Sequence, residues 1–157
     1  MGGLGIAFLV SALLAVITLF YLVFFSICLV VTVFKTIVNW IILKKAGEGG
    51  WKCLIPIYGD YVLFDLAWSP NAFWRYLVAY LGMTISLFVA HLGIVWAIIP
   101  TIAFAVWLTI IVLKYSLKLA KSFGYKNAFG VGLFFIPIVF MAIIAFDARN
   151  KYDGPIF

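Results

Sequence analysis

The first long segment of the chain, Leu4–Phe34, contains no charged residue. About 20 apolar residues are enough for an α-helix to cross the hydrocarbon core of a membrane. Leu4–Phe34 is longer than one such span and too short for two. We therefore expect a single transmembrane helix over about residues 4–34, which tilts in the bilayer or projects from it.

The composition of the whole chain agrees with a membrane location. Hydrophobic residues make up 68% of the 157 residues and charged residues 10%, against roughly 45–50% and about 25% in soluble domains. A soluble domain of this size could not bury so much apolar surface, because most residues of a small domain lie near its surface. The sequence predicts an all-α integral membrane protein with a single membrane domain over residues 1–157.

Three more apolar segments follow the first one. With the first segment they give four expected spans, at about residues 4–34, 72–98, 101–119 and 128–146. The stretch Tyr76–Leu113 has no formal charge apart from His91 and fits two spans joined by a tight turn. Both His91–Gly93 and Pro100–Thr101 suit that turn. We favour placing His91 in the turn, where a neutral histidine needs no functional explanation.

A glycine-rich break, Ala46–Tyr58, separates the first span from the others. The segment that follows, at about 53–68, carries Pro56, Asp60 and Asp65. Proline inside a straight helix costs about 3 kcal/mol, and an aspartate at the bilayer centre costs about as much. We expect an interfacial or re-entrant helix here, seated by a structural elbow formed by Gly49, Gly50, Trp51, Pro56 and Tyr58.

Basic residues are distributed unevenly over the four-span threading. One membrane face would carry nine of them: Lys35, Lys44, Lys45, Lys52, Arg75, Lys114, Lys118, Lys121 and Lys126. The other would carry only Arg149 and Lys151. The positive-inside rule makes the first face cytoplasmic and puts both termini outside. Lys114, Lys118 and Lys121 share one helical face, which we expect to contact anionic lipid headgroups.

Several short motifs resemble an uncharacterised family of small bacterial and archaeal membrane proteins, whose members sometimes carry the label signal peptidase I. They are Lys45–Trp51, Ile55–Tyr58, Leu119–Gly124, Phe129–Leu133 with Pro137, Asp147–Arg149 and Asp153–Pro155. The resemblance covers about Lys44 to Pro155 and leaves the first span outside. It differs from the family pattern at Gly49 and Gly59. It implies a multi-span protein of the prokaryotic plasma membrane and no agreed activity.

Catalytic and cofactor sites are not expected from these residues. A signal peptidase needs a serine activated by a lysine in a domain outside the membrane, whereas Ser116 and Ser122 lie in the basic segment. An intramembrane aspartyl protease needs two facing carboxylates, which the spacing of Asp60 and Asp65 does not provide. Two cysteines give no metal or disulfide framework. We expect no enzyme, cofactor or metal site, and no nucleic-acid partner.

Two functions remain open at this point. The first is a non-enzymatic scaffold or accessory subunit, which docks through its basic cytoplasmic face. The second is a small homo-oligomeric channel or transporter, built around the broken segments. The expected partners are membrane lipids with anionic headgroups on the cytoplasmic face, together with a second copy of the chain or another membrane protein.

Overall fold

A computed structural model describes the backbone of residues 2–55 and 57–156, with side chains from residue 8 onward. Helix accounts for 82% of the structure, and the described residues contain no strand. The helices are α1 Gly2–Lys45, α2 Tyr58–Ala67, α3 Pro70–His91, α4 Ile98–Ser122, α5 Asn127–Phe135 and α6 Pro137–Phe146, with 3₁₀ turns at Gly50–Leu54 and Val95–Ala97. The predicted all-α class is confirmed.

Three of the described helices are long and apolar enough to cross a membrane: α1, α3, and α4 with the short turn before it. The chain is therefore an integral membrane protein. By contrast, α2 has only 10 residues, well below the roughly 20 that a span requires.

The chain divides into two compact units, one ending at Ile37 and the other starting at Val38. In the first unit the apolar side chains between Phe8 and Phe34 are exposed, as expected of a helix whose solvent is lipid. Its helix continues without a break past Lys35, where the sequence suggested an exit from the membrane.

Helices α3 and α4 form an antiparallel hairpin in the second unit. Gly82 allows the ring of Phe104 to approach closely, since a Cβ at Gly82 would lie 2.6 Å from that ring. Further along, the Thr101 hydroxyl donates to Ser86 Oγ at 3.0 Å. The turn follows His91, so the expected span 72–98 ends early as a helix. Pro100–Thr101 lies inside α4 and is not the turning point.

The expected fourth span, 128–146, is not one continuous helix in the structure, and the count of four spans stays a prediction. The segment consists of two short helices, α5 and α6, which fold back on each other at Ile136. A straight helix of this length would hold its ends about 30 Å apart. Instead, Tyr125 before α5 and Asp147 after α6 are joined by a 2.8 Å hydrogen bond. The rings of Phe129 and Phe140 also meet, with centroids 4.8 Å apart.

The reversal has a local cause in the sequence. Pro137 begins α6 and has no backbone N–H to donate into α5, and Ile136 leaves the helical conformation with φ −131° and ψ 68°. Each arm of this α5–α6 hairpin is only about 14 Å long, roughly half of the hydrocarbon core. The described residues thus contain three span-length helices and a helical hairpin.

The packed core of the second unit joins five helices. It draws on the end of α1, on α2, on the end of α4 and on both arms of the hairpin, through Val38, Ile42, Leu63, Ala67, Leu119, Phe123, Leu133, Met141, Ile144 and Ala145. Gly130 permits the backbones of α5 and α4 to approach closely, because a Cβ there would lie 2.7 Å from the Leu117 Cα in α4. The core therefore lies where α1 and α4 end and α3 begins.

The carboxyl-terminal segment, residues 147–156, folds onto the same end of the second unit. The Asp153 N–H donates to the Ser122 carbonyl at 2.8 Å, and the Tyr152 hydroxyl donates to the Leu66 carbonyl at 2.8 Å. The ring of Tyr152 also packs on Phe123. This segment thus lies at the same end of the second unit as the end of α4, whereas the four-span threading would put the two at opposite ends.

Candidate functional site

Charge is concentrated at one end of the second unit, which we call the charged end. It comprises the end of α1, residues 46–55 and 57, α2, the start of α3, the last turns of α4 with residues 123–126, and residues 147–156. All charged residues of the second unit lie here: Lys44, Lys45, Glu48, Lys52, Asp60, Asp65, Arg75, Lys114, Lys118, Lys121, Lys126, Asp147, Arg149, Lys151 and Asp153. The turn between α3 and α4, at the opposite end, carries none.

The break between α1 and α2 is shaped by glycine and aromatic rings. Gly50 is buried against Trp40, and a Cβ at Gly50 would lie 2.8 Å from that ring. Gly49 lies equally close to the ring of Trp51. Tyr58 begins α2 and stacks on Tyr61, with centroids 6.1 Å apart.

One residue of the expected elbow, Pro56, lies outside the described residues. The next residue, Ile57, has a positive φ of 69°, which is rare for a β-branched side chain. The bend before α2 is therefore sharp, while its role as an elbow that seats α2 at the interface stays a prediction.

Two lysines beside and within the break, Lys44 and Lys52, have different partners. Lys52 forms an ion pair with Glu48, four residues earlier. Lys44 lies over the ring of Trp40, 5.7 Å from its centroid. The hydrogen bond to Glu48 raises the pKa of Lys52, but a pair on the surface contributes little to stability.

Lys45 has a structural role that the sequence did not reveal. Its Nζ donates to the Ile144 carbonyl at 2.9 Å and also to the Asp147 carbonyl. These carbonyls belong to the last turn and the end of α6, where helical backbone lacks internal donors. Lys45 thus caps the second arm of the α5–α6 hairpin from α1.

Asp147 is the most highly connected carboxylate at the charged end. Its oxygens accept hydrogen bonds from the Arg149 N–H at 2.9 Å and from the Tyr125 hydroxyl. The Arg149 bond, and then the Tyr125 bond, hold the pKa of Asp147 below its ordinary value. Desolvation, followed by the bond to Asp147, raises the pKa of Tyr125.

The expected lipid-contacting stripe on α4 is not uniform. Lys114 and Lys121 are exposed. Lys118 is half-buried; its Nζ donates to the Ile156 carbonyl and lies 4.9 Å from the centroid of the Trp68 ring. Two of the three lysines are thus available to lipid, while the third holds the carboxyl-terminal segment. Lipid contact by this stripe stays a prediction.

The remaining polar candidates lie apart from one another. The hydroxyls of Ser116 and Ser122 both donate to carbonyls of their own helix. His91 is exposed at the end of α3, next to Gly93 with its positive φ, in the turn that the sequence favoured. Across the described residues, no group of three or more His, Cys, Asp or Glu side chains could hold a metal ion.

Sequence reasoning missed one further buried polar group. Asn39, in α1, is buried, and its Oδ1 has no hydrogen-bond partner among the described residues. A polar residue inside the apolar run before Lys44 was its only signal. Tyr125 and Asp147 were missed for a similar reason, since a straight span would keep them far apart.

Comparison with known families supports the resemblance noted in the sequence. A family model matches residues 51–155, two thirds of the chain. The chain belongs to a family of unknown function, DUF5684. The match includes α2 to α6 and leaves α1 outside, as the motifs suggested. No curated protein and no solved structure matches.

Proposed function

We propose that this member of the family is a non-enzymatic membrane scaffold or accessory subunit, which binds an acidic segment of a partner protein at its charged end. The observation that supports this is the excess of unpaired cations there. Among the described residues Lys52 alone forms an ion pair. Besides Lys44, which lies over the Trp40 ring, six exposed cations at the charged end form no ion pair among the described residues: Arg75, Lys114, Lys121, Lys126, Arg149 and Lys151.

Orientation in the membrane forms part of the proposal. Lysine and arginine are enriched on the cytoplasmic side of prokaryotic inner-membrane proteins, so we place the charged end in the cytoplasm. The bonds of Asp147 and Asp153 to Tyr125 and Ser122 support placing residues 147–156 on that same side. The proposal differs in this from the expectation that both termini are outside, and it keeps the amino terminus outside.

A channel or transporter is the second candidate, and the α5–α6 hairpin is the observation that favours it. Broken helices occur at depth where they line a cavity or are covered by protein. Here the buried side chains of the hairpin are apolar, Leu133, Met141, Ile144 and Ala145, and they pack against α1, α2 and α4. That packing supports a structural role and places the scaffold first.

Extraction in native lipid followed by mass measurement tests the two candidates. The scaffold predicts a second protein at fixed stoichiometry, whereas the channel predicts a closed ring of identical chains. A variant with Lys126, Arg149 and Lys151 changed to glutamine should lose that second protein. The matched control is Lys52→Gln, because Lys52 is already paired with Glu48. Retention in the triple variant, or a homo-oligomer alone, would contradict the scaffold.

A further inference from the structure

An open apolar groove of about 380 Å³ lies at the charged end, between the start of α2 and the first turns of α3. It is lined by Ile57, Tyr58, Tyr61, Phe73 and Trp74. Its volume is within the roughly 300–1,000 Å³ of typical small-molecule sites.

The walls of the groove are held by contacts between aromatic rings. Tyr61 meets Phe73 edge to face, with centroids 5.5 Å apart and an interplanar angle of 89°. Phe73 is 3% exposed and contacts Trp74 on its outer side, at 5.8 Å. Edge-to-face pairs of this kind are favourable and fix ring orientation. The groove is therefore formed before any ligand arrives, while Trp74, which is 57% exposed, stays accessible.

A cation, Arg75, is the next residue in the sequence after those that line the groove, on the same turn of α3. Arg75 follows Trp74 directly, is exposed, and forms no ion pair among the described residues. Arginine binds phosphate through several parallel hydrogen bonds. A ligand that places hydrocarbon against the rings and a phosphate at Arg75 must be amphiphilic and negatively charged.

We propose that the groove and Arg75 together bind one anionic phospholipid, with an acyl chain along the rings of Tyr61, Phe73 and Trp74 and the headgroup phosphate at Arg75. The site is separate from the lysine stripe on α4. It requires only that the charged end lies at the level of the lipid headgroups, and it does not depend on the scaffold role.

Native mass spectrometry of the purified protein, titrated with dioleoyl phosphatidylglycerol, tests the site. Arg75→Gln should weaken binding about fivefold, since one cation near the lipid surface is worth on the order of 1 kcal/mol. Trp74→Ala should also weaken binding, because the acyl chain loses its contact with that ring. The matched controls are Trp96→Ala, at the opposite end, and Lys44→Gln, at the same end. Both controls should bind like the unmodified protein.

Two other ligands show whether the site binds an anionic phospholipid or a free phosphate compound. Dioleoyl phosphatidylcholine, with the same chains and no net charge, should bind more weakly, and glycerol 3-phosphate should not bind measurably. Equal binding of the two lipids would overturn the proposal. So would binding of glycerol 3-phosphate as tight as that of the lipid, or an effect of Lys44→Gln equal to that of Arg75→Gln.

A second measurement uses the unmodified protein and so does not depend on variants that fold. Phosphatidylglycerol with a photoreactive acyl chain is bound, crosslinked and located by peptide mass. We expect the label on the peptides that contain Tyr61, Phe73 and Trp74. Labelling spread evenly over the exposed side chains of α1, α3 and α4, with no preference for these peptides, would overturn the proposal.

Discussion

The hydroxyl of Tyr125 donates a 2.8 Å hydrogen bond to the carboxylate of Asp147, and thereby joins the two ends of the α5–α6 hairpin. The 20 residues from the first position of α5 to the last position of α6 could cross a bilayer if they formed one straight helix, at 1.5 Å per residue. Because α6 folds back on α5, the hairpin determines the end of the second unit at which residues 147–156 lie.

The reversal of the chain between α5 and α6 predicts the side of the membrane from which introduced cysteines can be labelled. In a background with Cys28 and Cys53 changed to alanine, Lys126→Cys and Lys151→Cys should react with an impermeant thiol reagent from the same side of the membrane. Trp96→Cys, 81% exposed near the opposite turn, should react from the other side. Opposite reactivity of Lys126→Cys and Lys151→Cys would restore a fourth span.

The Tyr125–Asp147 bond predicts a pH-dependent difference in stability. Because hydrogen bonds depress the folded pKa of Asp147 below its ordinary 3.8, the stabilisation is present above that value and is lost as the pH falls through the folded pKa. Tyr125→Phe should therefore melt at a lower temperature than the unmodified protein at pH 7, with the gap closing in acid.

Thermal unfolding in detergent, followed by circular dichroism, measures that gap. The control is Tyr80→Phe, on the exposed face of α3, whose melting temperature should stay equal to that of the unmodified protein at every pH. A gap for Tyr125→Phe that is unchanged well below pH 3.8 would show that the hydroxyl acts on something other than the Asp147 carboxylate.

The close contact of α5 with α4 predicts a strict requirement for glycine at position 130. Gly130→Ala should lower the free energy of unfolding by about 1–3 kcal/mol, because the new Cβ would lie 2.7 Å from the Leu117 Cα and backbone would have to move. Ala128→Leu, at an exposed position of the same helix, is the control for added volume. Equal loss in both variants would contradict this packing.

The three lysines of α4 should divide into two functions. Lys118→Gln should loosen residues 147–156, since it removes the donor to the Ile156 carbonyl and a contact with Trp68 worth about 1 kcal/mol. Trypsin should then cleave after Arg149 and Lys151 faster than in the unmodified protein.

The matched change is the double variant with Lys114 and Lys121 replaced by glutamine. It should keep the trypsin resistance of the unmodified protein and retain less anionic lipid on purification. Unchanged lipid retention would mean that these two lysines serve only to orient the chain. Faster cleavage in the double variant would show that the tail does not depend on Lys118 specifically.

The depth of α2 is a further prediction. Its 10 residues cannot cross the membrane, so spin labels placed at the exposed positions Tyr58 and Asp65 should report one similar depth near the headgroups. Collision with lipid-soluble oxygen and with a water-soluble nickel complex measures that depth. A steady change in depth from Tyr58 to Asp65 would indicate a re-entrant segment instead.

Hydrophobicity and charge predicted the class of fold well, because each is a local property of the sequence. The uncharged run Leu4–Phe34, the short α2 segment and the turn at His91–Gly93 are all visible without a structure. Even the break in the last segment was signalled by Pro137. Each of these features follows from the local sequence: from its hydrophobicity, its charge, the length of the apolar run, or a glycine or proline.

The direction of the chain after that break could not be predicted in the same way. A proline is compatible with a kinked span as well as with a full reversal, and only tertiary contacts decide between them. Those contacts are between distant residues: Gly130 with Leu117, Lys45 with the Ile144 carbonyl, and Tyr125 with Asp147. The pairing of Glu48 with Lys52 was missed although it is local, because several lysines stood within reach.

The Tyr152–Leu66 hydrogen bond links residues 86 positions apart in the chain, which has a consequence for biosynthesis. The Leu66 carbonyl cannot accept this bond until Tyr152 has been synthesised. The contact between α2 and residues 147–156 therefore forms late in biosynthesis, after α3, α4 and the α5–α6 hairpin have been made. A chain that stops before Tyr152 would leave the end of α2 without this donor.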